Sequence, residues 1–184
     1  MVMQIITYSV MSIVLITGML CICGCVEDRP IDVENVTGNL SDLADEKAQN
    51  GSAQEALSLY DAAIRLNESD PELWLKTADL LSNESIDSEA LSVFNQVLTL
   101  DPLNSSALIG RGRIHERDGQ YSLAIEDFQK AVSLDPDNSA AHSGLADVYT
   151  ALQEEDKSLV EYGTAINLSP KDFSLHVKLA ELFF

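Results

Sequence analysis

The chain has 184 residues, with 11 Lys and Arg against 30 Asp and Glu, a formal net charge of −19 and a pI near 4.2. So acidic a surface argues against nucleic acid as a partner, because gripping a phosphate backbone takes clustered cations. The length suits one ordinary domain with terminal additions, and the acidity reads first as solubility and mutual repulsion between molecules.

Residues 1–25 carry no charged side chain, whereas the rest is polar, acidic and rich in Ala and Leu. The apolar run is long enough to cross a bilayer core as a helix. It lacks the basic start of a secretory signal, but it ends in Ile22-Cys23-Gly24-Cys25. That tetrad resembles a lipobox, which implies cleavage before Cys25 and a lipid on its sulfur. The alternative is an uncleaved membrane helix, and either reading tethers the chain to a membrane. Cys21, Cys23 and Cys25 are the only cysteines. Their spacing lacks the paired arrangement of a zinc site, so no metal is expected. Residues 26–36, acidic and containing Pro30, read as a flexible linker.

Nine asparagines occur, and seven open an Asn-x-Ser/Thr triplet: Asn35, Asn39, Asn50, Asn67, Asn83, Asn104 and Asn167. Chance would give about one. Asn167 is set aside because Pro170 follows its serine. The other six are candidate N-glycosylation sites, which suits an extracytoplasmic face.

From residue 37 the chain repeats. Pro102, Pro136 and Pro170 are 34 residues apart. Units counted from Thr37, Pro71, Ser105 and Ser139 align in columns. The eighth residues are Ala44, Ala78, Gly112 and Ala146, and the twentieth are Ala56, Ala90, Ala124 and Ser158. The twenty-fourth are Tyr60, Phe94, Phe128 and Tyr162. Small residues let two antiparallel helices approach closely, the aromatic fills the gap beside them, and Pro ends the second helix. Gly51 and Gly119 fall where the chain must turn between the paired helices.

These columns resemble the tetratricopeptide repeat. The resemblance implies an all-α, right-handed solenoid of four helix-turn-helix units, 37–70, 71–104, 105–138 and 139–172, followed by a C-terminal helix over 173–184. That last helix reads as a cap, as a self-association surface, or as the start of a further unit. The resemblance also implies a concave face that binds protein or peptide, lined by the ninth residues Asp45, Asp79, Arg113, Asp147 and Glu181. Leu75, Ser82, Asn83, Ile109, Glu116, Arg117, Ser143, Thr150, Val177 and Lys178 are expected nearby. Within this set Asp79, Arg113, Arg117 and Asp147 are the candidate groove residues. Arg113 either pairs with Asp79 and Asp147 or anchors a ligand carboxylate. A family subset grips acidic chaperone tails with Lys and Asn, but Ser41, Asp45, Asp79 and Gly110 stand there instead. A ligand of basic or mixed charge fits better.

His115, His142 and His176 fall at packing positions between helices. No catalytic constellation and no phosphate loop is present, since Gly110-Arg111-Gly112-Arg113 lacks the flanking Gly and Lys-Ser/Thr. The sequence therefore describes a non-enzymatic adaptor without cofactors. It is expected to sit at the membrane, extracytoplasmic rather than facing the cytoplasm, as a scaffold or as a self-associating envelope component.

Overall fold

The computed structural model describes residues 32–183, and within them every element is a helix. In chain order these are α1 (Val33–Gln49), α2 (Ala53–Leu66), α3 (Pro71–Asn83), α4 (Asp87–Leu100), α5 (Ser105–Arg117), α6 (Tyr121–Leu134), α7 (Ser139–Ala151), α8 (Glu155–Leu168) and α9 (Phe173–Glu181). The apolar segment with Cys25 and most of the linker lie outside the described residues. None of the described helices is long and apolar enough to cross a membrane.

One boundary differs from the sequence reading. The span expected to be linker as far as 36 is helical from Val33 onward. No breaker separates Asp32 from Thr37, and the Thr37 hydroxyl donates to the Val33 carbonyl, so helix propagates one turn towards the N-terminus.

Each first helix from α3 onward starts under a polar cap that recurs every 34 residues. Asp70 accepts from the Glu72 N–H at 2.9 Å, Asn104 from Ala107 at 2.9 Å, Asn138 from Ala140 at 3.1 Å and Asp172 from Ser174 at 3.0 Å. Such caps satisfy backbone donors that have no partner inside the helix. Pro71 stands directly after its cap, where a missing N–H costs nothing.

The second helices have no side-chain cap, because a fixed backbone turn delivers the chain to them. The fifteenth residue of every unit has positive φ: Gly51 at 77°, Ser85 at 60°, Gly119 at 71° and Gln153 at 60°. The next N–H then reaches the carbonyl five residues back, as in Ser52 to Lys47, Ile86 to Leu81, Gln120 to His115 and Glu154 to Tyr149. Ser85 and Gln153 do this with a Cβ, which costs about 1–2 kcal/mol in a left-handed conformation. Ser85→Gly and Gln153→Gly should each raise stability by about 0.5–1 kcal/mol once the looser unfolded chain is counted. Thermal melts of the two variants check this, and a lower Tm would show that no strain is stored there.

Between paired helices the small-residue columns are sealed: Ala44, Ala56, Ala78, Ala90, Ala124 and Ala146 are all buried. Ser158 is equally buried, and its hydroxyl is satisfied by the Ala146 carbonyl at 3.1 Å and by Thr150 at 2.6 Å. Between units, the aromatic of one unit wedges under the first helix of the next. A Cβ placed on Gly110 would lie 2.2 Å from the Phe94 ring, and one on Gly144 would lie 2.5 Å from Phe128. Phe94 and Phe128 are accordingly the largest fully buried side chains.

Adjacent first helices touch one another, α3 with α5 and α5 with α7, whereas adjacent second helices stand farther apart. The stack therefore curves with first helices on its inner side.

Candidate peptide groove

The inner face takes its character from the ninth residue of each first helix, and the structure divides these residues into two kinds. Where the aromatic column holds tyrosine, its hydroxyl donates to the ninth-position aspartate of the same unit: Tyr60 to Asp45, and Tyr162 to Asp147. A lysine from the next first helix closes the set. Lys76 reaches Asp45 at 2.8 Å and the Ser41 hydroxyl at 3.0 Å, and Lys178 reaches Asp147 at 2.6 Å. Each triad ties two units together across the inner face.

Where the aromatic is Phe94 or Phe128, no hydroxyl is available. The sixth residue of the following unit is then Gly110 or Gly144 instead of lysine. The ninth residues of those units are Asp79 and Arg113, and neither forms a hydrogen bond or close ion pair with any described residue. The expectation that Arg113 pairs with Asp79 and Asp147 is corrected accordingly. Asp147 is occupied by Tyr162 and Lys178, and Asp79 feels Arg113 only through space.

Electrostatics follow this division. Burial raises both tyrosine hydroxyls well above their ordinary range, and donation to a carboxylate adds to it. Burial works to raise the Asp45 carboxyl too, but the bonds from Lys76 and Tyr60 outweigh it and hold the group below its ordinary value. Asp79, with no such bonds, is raised by partial desolvation on the inner face, although the residue stays exposed, against an opposing pull from Arg113. Glu116 is raised by burial and then by Asp147, with Lys178, Arg113 and Arg117 opposing.

Around Arg113 lies a concave pocket of about 380 Å³, lined by Ser82, Asn83, Arg113, Glu116, Arg117, Ser143, Gly144, Asp147 and Lys178. Of the candidate groove residues it collects Arg113, Arg117 and Asp147, while Asp79 lies outside its lining. Arg117 is already engaged, with Asp87 at 2.8 Å and with the Ser82 hydroxyl at 2.7 Å. A larger hollow of about 610 Å³ lies at the N-terminal end of the stack, where Val33, Leu66 and Leu73 are ringed by Glu34, Asp42, Asp70 and Glu72.

The modification candidates separate by accessibility. Asn50, Asn67 and Asn83 are exposed at helix ends or turns. Asn35 and Asn39 are exposed on α1, but their triplets end in Thr37 and Ser41, which are buried at 6% and 7% exposure. The Asn104 side chain is committed as a cap and also donates to Asp101 at 3.2 Å. Cys25 lies outside the described residues.

His115 and His142 occupy the expected interhelical positions with partners of their own, whereas His176, expected to pack likewise, is exposed because no helix follows α9 among the described residues to cover it. His142 joins Glu161 at 2.7 Å and the Pro136 carbonyl at 3.1 Å, and His115 joins Gln120 at 2.7 Å. Trp74 makes the equivalent bond to the Glu68 carbonyl at 2.9 Å. His176 repeats it loosely at 3.4 Å and stays exposed. Among the described residues no cluster of three metal-ligating side chains occurs.

The sequence reading missed one buried charge. Asp127, on a second helix, is held by Arg111 through Nε at 2.9 Å and Nη2 at 2.6 Å, and Arg111 also reaches Asn95 at 2.8 Å. A carboxylate in a column that holds Leu59 and Val93 in earlier units was the available signal.

Family models agree with this architecture. A tetratricopeptide repeat model matches residues 41–105, and a TPR repeat model matches residues 112–153. Residues 41–105 and 112–153 are thus tetratricopeptide repeats. No curated protein matches it. Among solved structures, MamA from Desulfovibrio magneticus RS-1 is similar with a TM-score of 0.70 and 24% identity, over 79% of this chain and 82% of that one. Another MamA structure gives 0.70 and 20% identity over 82% of each chain. A tetratricopeptide repeat protein from Parabacteroides merdae gives 0.73 and 24% identity, over 86% of this chain and 60% of that one. At such identities the likeness is one of fold.

Proposed function

We propose that this chain is a non-enzymatic scaffold, tethered to a membrane at its N-terminus, whose inner face holds a protein or peptide partner at the cell envelope. The observation that carries the reading is the pair Asp79 and Arg113, charged groups on the concave side that make no hydrogen bond or close ion pair with any described residue. Structural ionic groups in repeats are normally matched, as Asp45, Asp127 and Asp147 are here. Two groups left open on a binding face are therefore candidates for contact with something else.

The tether rests on the apolar segment 1–25 and its lipobox-like end at Cys25, and the extracytoplasmic address on the excess of Asn-x-Ser/Thr triplets. Mass spectrometry of the native N-terminus tests both: a mature chain starting at a lipidated Cys25 supports the reading, and an intact Met1 replaces it with a membrane helix. Protease accessibility on intact cells then separates an outward-facing scaffold from a cytoplasm-facing one. Glycans on Asn50, Asn67 or Asn83 are expected in the same spectra, and Asn→Gln changes should abolish the mobility shift they cause.

The adaptor reading is tested by cross-linking in a membrane extract with wild-type chain and Arg113→Glu. A partner cross-linked to the inner face should be reduced at least about tenfold by the charge reversal, which is the usual scale for a lost charge-assisted contact. Cross-links that map only to the outer surface would sink it. A second reading, a self-associating envelope component, is favoured by one observation: α9 and the residues after it expose Phe173, Val177 and Phe183 at 78%, 56% and 67%. Light scattering decides, because a monomer at micromolar concentration removes that reading.

A further inference from the structure

The two Tyr–Asp–Lys triads sit at opposite ends of the inner face. One joins α1 to α3, and the other joins α7 to α9. Between them, α3 and α5 carry Asp79 and Arg113 at equivalent positions of adjacent units, one negative and one positive. The alternation has a structural cause. A tyrosine wedge brings a hydroxyl to the ninth position, and the lysine two helices further along reaches back over it. A phenylalanine wedge needs glycine above its ring, as Gly110 and Gly144 show, and glycine supplies no side chain to cover the ninth position. The same substitutions that pack the middle of the stack therefore leave its charges uncovered.

We infer that the middle of the groove takes an extended segment bearing one basic and one acidic side chain about three residues apart, the basic one on Asp79 and the acidic one on Arg113. This rests on the reading of the inner face as a binding surface, and it specifies the partner's chemistry.

Charge at each position supports the assignment. The pocket around Arg113 holds three cations, Arg113, Arg117 and Lys178, against two carboxylates, Glu116 and Asp147. Arg117 and Lys178 are each paired with a carboxylate, Asp87 and Asp147, which leaves Arg113 as the lining cation without a close carboxylate among the described residues. Ser82, Asn83 and Ser143 add hydrogen-bonding groups to the pocket's lining. Asp79 has no close cation of its own among the described residues, and its charge is felt as far as the Tyr60 hydroxyl. The spacing follows from packing: adjacent helix axes lie about 8–10 Å apart. An extended segment in polyproline form advances about 9.3 Å over three residues and returns its side chains to the same face. A partner carrying only cations would meet Arg113, and one carrying only anions would meet Asp79.

The test uses the full-length chain in detergent and four immobilised peptides on one neutral Ala/Ser background: Lys and Glu three residues apart, two Lys, two Glu, and neither. The mixed peptide should be retained at least about fivefold better than the other three. Arg113→Glu should move the preference to the two-Lys peptide, and Asp79→Lys should move it to the two-Glu peptide. Glu89→Gln, at an exposed position on the second helix α4, should leave the order unchanged. Both reversals lie at exposed positions, and unchanged melting curves confirm that the variants fold. If peptides bind but ignore both reversals, the charge assignment is overturned while a binding groove stands. If no peptide binds and cellular cross-links map to the outer surface, both are overturned.

Discussion

Replacing Phe128 by alanine is expected to cost about 3–5 kcal/mol, the usual scale for removing a large aromatic from a sealed core. The ring is fully buried, and it fills the space between Gly112 on its own unit and Gly144 on the next. In a linear array each unit is held mainly by its neighbours. The loss should therefore fall on the joint between the third and fourth units before the rest of the stack. Urea unfolding measures the total, and hydrogen exchange locates it in α5 to α8. A loss below 1 kcal/mol would mean that the stack closes over the cavity. The reciprocal change, Gly144→Ala, forces a methyl to within 2.5 Å of the same ring and should cost about 1–3 kcal/mol by overpacking. Combined with Phe128→Ala it should cost far less than the sum, because the clash and the ring vanish together.

Arg111→Met should be comparably severe, at about 3–5 kcal/mol, through a different mechanism. Asp127 retains only 6% side-chain exposure, and Arg111 supplies its two close charge-assisted bonds. Removing the arginine strands a carboxylate in a low-dielectric site, and breaking a buried pair from one side costs more than the intact pair contributes. The diagnostic is the double replacement Arg111→Met with Asp127→Leu, which should recover most of the loss in urea titrations. A single variant as stable as the wild type would show that water reaches Asp127.

The two predictions differ in how far they were legible in the sequence. Phe128 was visible as one member of an aromatic column with period 34, and its burial followed from the column. Asp127 was not, because a single aspartate on a surface-like helix gives no sign of burial until the neighbouring helix delivers Arg111. The triads lie between these cases. Tyrosine in the aromatic column coincides with lysine at the sixth position of the next unit, and phenylalanine coincides with glycine. That correlation is present in the sequence, but reading it requires knowing which side chains cross from one unit to the next. The same gap explains Arg113, whose expected partner Asp147 is closer to Lys178. Ser85 and Gln153 escaped notice for a simpler reason: glycine marks a left-handed turn by its identity, and these two residues adopt it without any such mark.

By itself the sequence determined the unit length, its register, the helix pairs and the closed small-residue seams. Those depend on contacts within about one repeat, where spacing along the chain and spacing in space coincide. Only the tertiary structure decided which charges on the inner face are already engaged and which remain open. An ion pair or hydrogen bond is made or missed over roughly an ångström, and no periodicity in the chain resolves that distance between neighbouring units.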